Sequence, residues 1–181
     1  TVPASGWVLS SVVLYSFQSG ATTTTPTINS VNLRVWSGRP GDTGSTIIFG
    51  NTVDNRFMSA TYTGTFRAGE MDPTSTNRPI YAVEAAINPP LALPAGTYWL
   101  DWQASGVLAS GPFVVPVTIL GQTAAPNANA RIYASPSGPW QNVRDSGTFA
   151  QQEMCFLLRG TGGAAAPCYP NCDASTAAPC L

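Results

Sequence analysis

The chain has 181 residues, 44% of them hydrophobic and only 9% charged, with a net charge of −1. Its eight positive charges are all arginine, and lysine and histidine are absent. This excludes a Ser-His-Asp triad, a Cys-His dyad, a His-ligated zinc site, a lysine Schiff base, a phosphate-loop lysine and a Lys–Asn isopeptide staple. The weak net charge leaves no electrostatic footprint for nucleic acid.

Apolar residues recur at period two between clusters of Gly, Pro, Asn, Asp and Ser, the pattern of strands and turns. Strands are expected at residues 7–17, 28–36, 45–50, 57–66, 79–87, 96–103, 113–120, 131–134 and 152–159. Turn-rich joins are expected at 19–26, 37–44, 69–77, 88–94, 121–129 and 135–139. No segment has the 3.6-residue periodicity of an amphipathic helix. About nine short strands describe an all-β fold, an antiparallel β-sandwich of jelly-roll type.

The sandwich is expected to fill residues 1–160. Residues 161–167, TGGAAAP, read as a flexible linker. Residues 168–181 form a Cys-rich tail with Cys168, Cys172 and Cys180. With Cys155 they make four cysteines, which suits an oxidising compartment and two disulfides. Every pairing of the four ties Cys155 to the tail, so the tail is expected to be stapled to the sandwich. The longest apolar run, residues 112–120, contains Pro116 and falls well short of the roughly 18 residues of a membrane span. Thr1 reads as the first residue of a processed chain, and Leu181 as a point where the natural chain continues. An extracellular protein, secreted or on a cell surface, is expected.

Alternation assigns faces. Val31, Leu33 and Val35 should enter the core, as should Tyr81, Val83, Ala85 and Ile87. In the fourth strand Met58, Ala60, Tyr62, Gly64 and Phe66 should point inward, leaving a row of hydroxyls outside. In the strand TYWLDWQ, Tyr98, Leu100 and Trp102 should be inside. That leaves Trp99 outside with Asp101 and Gln103, an indole flanked by a carboxylate and an amide, the chemistry of a sugar platform or of an interface. Trp36 with Arg34 and Asn32 is a second such set. The competing reading is that a loop or a neighbouring chain covers these tryptophans. Trp7 and Trp140 are expected to plug the ends of the core. The first strand, WVLSSVVLYSF, is apolar on both faces and belongs at the centre of a sheet or against another chain.

Among the acidic residues, Glu84 and Asp101 could act as a glycosidase pair only if their strands were neighbours. Cys155 has no histidine to activate it as a nucleophile. No enzyme and no organic cofactor are expected. The oxygen ligands the sequence offers to a structural calcium are Glu70 and Asp72, or those of loop 42–45.

The segments VNLRVWSGRPGD, NRFMSATYTGTFRA and LPAGTYWLDWQASGVLASGPFVVPVTILGQ resemble a β-sandwich domain of secreted bacterial proteins that carry C-terminal anchoring modules. The tail APCYPNCDASTAAPCL resembles the opening of a dockerin-like repeat, a cysteine-bracketed calcium loop. That resemblance implies Asn171, Asp173 and Ser175 as the first loop ligands, and docking on an extracellular assembly. The helix and the later ligands of such a repeat are missing from this sequence.

The reading is a non-catalytic extracellular surface or matrix structural protein, a self-assembling filament or lattice subunit. Its partners would be copies of itself or an extracellular assembly, with no nucleic acid and no membrane span. The alternatives are a carbohydrate-binding module that presents Trp99 or Trp36 to a polysaccharide, and a small glycan-active enzyme.

Overall fold

The first apolar run, Trp7–Phe17, forms strand β1, and the runs after it form β2 (Ile28–Trp36), β3 (Ile47–Asn51), β4 (Phe57–Phe66) and β5 (Pro79–Leu93). Five more follow: β6 (Trp99–Gly106), β7 (Phe113–Val114), β8 (Arg131–Tyr133), β9 (Trp140–Asn142) and β10 (Phe156–Thr161). The computed structural model describes residues 1–68, 72–119, 122–133 and 138–162. Among them there is no helix, and so none long and apolar enough to cross a membrane.

Every strand pairing is antiparallel. One sheet runs β10-β1-β5-β4, with β7 beside the end of β1, and the other runs β3-β2-β6. The two curl around a common core as a β-sandwich, and β8 and β9 form a small separate hairpin. β1 pairs with β10, joining first strand to last, and also with β5, which puts it inside its sheet. Its apolarity on both faces therefore serves its own domain.

The core is built from the faces that alternation assigns. Val12, Leu14, Val31, Leu33, Tyr81, Val83 and Ile87 are all fully buried. Each aliphatic member contributes about 1.5–3 kcal/mol relative to exposure. Leu100 and Trp102 of β6, and Tyr98 just before it, pack against this core, though each keeps some exposure. Tyr81 donates its hydroxyl to the Thr22 carbonyl, which pins the threonine loop between β1 and β2 to β5.

The structure departs from the sequence expectation in several places: β6 runs Trp99–Gly106 and not 96–103, and Gly64 of β4, expected inward, is exposed. β5 runs on through residues 88–93, where a join was expected. Between Ser11↔Ala86 and Leu9↔Leu91 the register jumps, and Pro89 and Pro90 sit in that bulge, where no N–H is required. In β4 a second register jump, between Phe57 and Ser59, turns Phe57 onto the core and Met58 out to solvent. β7 has two residues rather than eight, because Pro116 cannot continue a ladder; Pro116 makes a single bridge to Met154. The last strand is shifted to Phe156–Thr161 by its register on β1. Trp140 starts the unexpected strand β9 and does not plug the end of the core.

Candidate functional site

The two tryptophan sets foreseen on separate strands are one site, because β2 and β6 are neighbours. Asn32 lies opposite Gln103, Arg34 opposite Asp101, and Trp36 opposite Trp99. These three cross-strand pairs form a row on the outer face of the three-stranded sheet. At its centre Arg34 Nη2 stands 2.5 Å from Asp101 Oδ2, and Arg34 Nε donates to the same oxygen at 2.6 Å. Trp36 Nε1 also donates to that oxygen, at 3.3 Å.

The indoles are not bare. The Arg34 guanidinium stacks 5.1 Å from the Trp36 ring centre, and that of Arg39 lies 5.7 Å from the Trp99 ring centre. The β8–β9 hairpin then closes over the aromatic end of the row. Trp140 meets Trp36 edge-on at 6.1 Å, and Tyr133 packs on Trp140 at 5.4 Å. Arg131 ties the hairpin to loop 40–42 through the Pro40 carbonyl at 2.5 Å and Asp42 at 2.8 Å. Gly41 makes this approach possible: its φ is +87°, and a Cβ there would lie 2.8 Å from Trp140. Covered by a hairpin and by arginines, the platform is substantially built into the fold, which favours the covering loop among the sequence alternatives.

A larger feature surrounds β6 and takes in this row. β6 is the last strand of its sheet and β10 the last of the other, so their outer edges bound an open seam. Between them runs a cleft of about 1630 Å³. Residues 97–104 and 153–158 line it, together with 32–36 of β2 and with Arg131, Tyr133 and Trp140 of the hairpin, so it is continuous with the tryptophan row. Its apolar wall includes Leu100, Trp102, Phe113, Val114, Phe156 and Leu158. Trp102 and Phe156 meet across it with ring centres 6.2 Å apart. The Trp102 Nε1 is buried here without a hydrogen-bond acceptor.

The carboxylates are committed to the fold. Glu84 accepts from Ser11 at 2.7 Å and pairs with Arg159 at 3.4 Å. It stands on β5, in a different sheet from Asp101, so the two do not form a neighbouring-strand pair. Asp42, expected as an oxygen ligand in its loop, holds Arg131. Asp145 caps its own turn: the Thr148 and Gly147 backbone N–H groups, then the Thr148 hydroxyl, hold its carboxyl below the usual range. Asp72 accepts from the Thr74 hydroxyl at 3.5 Å. Among the described residues no three His, Cys, Asp or Glu side chains gather as a metal site. Glu70, Asp173, Cys168, Cys172 and Cys180 lie outside the described residues, and the disulfide tie of Cys155 to the tail falls there too.

Sequence reasoning missed the cleft residues Phe113, Val114 and Phe156 as a surface. Their only sequence signal was apolarity in strands expected to be core. No family model, curated protein or solved structure matches the chain.

Proposed function

We propose that this chain is a non-catalytic structural subunit of an extracellular surface or matrix assembly. The observation that carries the reading is the apolar surface where β6 and β10 end their sheets, with no further strand beside either among the described residues. Isolated domains normally blunt such edges with lysine, proline or a covering element, because an open edge invites another chain. Here lysine is absent throughout, and β6 contains no proline. Phe113, Val114 and Phe156 remain 45%, 41% and 37% exposed at the cleft, a cluster of the kind that marks interaction sites. The extracellular setting is supported by the four cysteines and the low charge. The likeness of the tail to a dockerin-like repeat supports anchoring, with Asn171, Asp173 and Ser175 as the residues to test for calcium. Electron microscopy and sedimentation of the protein purified from its native source test the reading. Ordered assemblies or discrete oligomers support it, and a strict monomer at every concentration refutes it.

A carbohydrate-binding module is the second reading, favoured by the Trp36, Trp99, Trp140 and Tyr133 cluster beside Gln103 and Asn32. In that case a monomeric protein would bind a polysaccharide, and Trp99→Ala would abolish retention in affinity electrophoresis while circular dichroism shows the variant still folded.

A further inference from the structure

The loop between β1 and β2 reads TTTTP at residues 22–26, four consecutive hydroxyls and a proline. All five residues are exposed and belong to no strand, while Ala21 before them and Thr27 after them are buried. The loop is therefore an arch with fixed feet. Its backbone is held from below. Tyr81, itself fully buried on β5, donates its hydroxyl to the Thr22 carbonyl and lies 3.3 Å from that of Thr25. With the carbonyls turned inward, the side chains stand in water.

The four hydroxyls are not equivalent. Thr22 Oγ1 accepts the Thr25 N–H at 3.2 Å and lies 3.4 Å from Thr24 Oγ1. The hydroxyls of Thr23 and Thr25 make no hydrogen bond among the described residues. The exposed hydroxyls of β4 differ. Thr61 stands in the ladder with β5, and Thr63 donates to the Ile80 carbonyl at 2.9 Å.

The rest of the chain gives a reason for using these groups. A soluble surface is well served by about 25–35% charged residues. This chain has 9% over its whole length, yet leaves Val53, Val107 and Phe149 84%, 68% and 69% exposed. An attached sugar supplies hydration without charge, and it stays on the surface. The sequence contains no Asn-x-Ser/Thr acceptor, so attachment has to go through a hydroxyl. Threonine runs beside proline are a setting for O-linked sugars.

We infer that Thr23 and Thr25 are sites of O-glycosylation. This goes beyond the assembly reading and takes from it only the extracellular setting. The acceptor Oγ1 forms a bond to the anomeric carbon of a phosphate-activated sugar held by a transferase. The bond from that carbon to the phosphate oxygen breaks, and the phosphate leaves with the electron pair. The hydroxyl proton passes to a base of the transferase, and nothing is oxidised or reduced. Residues 22–26 do not line the cleft, so a sugar here leaves that surface open.

The test is peptide mapping of the protein purified from its native source, by mass spectrometry with electron-transfer fragmentation. Arg34 is the first arginine and lysine is absent, so trypsin releases residues 1–34 as one peptide. It holds the arch together with the buried hydroxyls of Ser11, Ser16 and Thr27, which serve as an internal control. The inference expects sugar mass on Thr23, Thr25 or both, and none on the three buried residues. An unmodified peptide overturns it and leaves the assembly reading standing. So does phosphate in place of sugar, or sugar that spares both Thr23 and Thr25. The double variant Thr23→Val/Thr25→Val, made in the same host, should lose the added mass and keep the circular dichroism of the wild type. It should also precipitate at a lower protein concentration. Equal solubility with and without the sugar would overturn its role in hydration.

Discussion

Arg34 and Asp101 face each other across β2 and β6 with 2.5 Å between Nη2 and Oδ2, and Trp36 shares that same oxygen. The Asp101 carboxylate is the tie that holds a tryptophan and an arginine in place. Both partners are largely shielded, with side-chain exposures of 20% and 15%. Asp101→Ala should therefore cost about 1.5–3 kcal/mol, the range for hydrogen bonds to charged groups. In urea unfolding, the double variant Arg34→Ala/Asp101→Ala should cost less than the two single losses added together. Strict additivity would show that the pair is not coupled.

Tyr81 couples folding to pH on the alkaline side. Burial, with a smaller contribution from Tyr62, raises its phenol above the ordinary value of 10.0. The folded state thus binds this proton more tightly than the unfolded chain. The stabilisation is fully present below pH 10 and is lost as pH rises through the raised folded value. Thermal melts from pH 8 upward should fall steeply above pH 10. Tyr81→Phe should be less stable at neutral pH, through loss of the bond to Thr22, but should flatten the alkaline fall. An equally steep fall in Tyr81→Phe would assign the slope to another group.

Gly41→Ala places a Cβ 2.8 Å from Trp140 at a backbone φ of +87°. The cost expected is about 1–3 kcal/mol for the strained backbone, with the hairpin displaced from the aromatic row. Tryptophan fluorescence should report Trp36 and Trp140 moving into water. Unchanged fluorescence and stability would mean that the loop and hairpin yield freely.

The bulge at the start of β4 separates two neighbouring apolar residues. Met58→Ser should change stability by no more than about 0.5 kcal/mol, as surface positions do. Phe57→Ala should cost several times as much, because Phe57 packs on the core. If the two costs were reversed, strict alternation along β4 would be right and the bulge wrong.

The core of this protein is readable by period alone. Val31, Leu33 and Val35, like Tyr81, Val83, Ala85 and Ile87, are inside because each strand keeps its alternation where both neighbours are in register. The misreadings at Met58 and at residues 88–93 fall where register jumps, and a bulge leaves no mark in hydrophobicity. The tryptophan sets were legible as residues but not as one site, since which strands are neighbours depends on non-local pairing. For the same reason the cleft was invisible. Phe113, Val114 and Phe156 are apolar residues of expected strands, and they stay exposed where no described strand lies beside β6.

The most direct measurement is hydrogen exchange of the β6 amides as a function of protein concentration. Along Trp99–Gly106, one set of N–H groups bonds to β2 and the alternate set points into the seam. The seam-facing set should exchange fast in dilute protein and slow markedly as concentration rises. The outer-edge amides of β4, in the other sheet, should not change. Seam-facing amides that exchange at the same rate at every concentration would contradict the account.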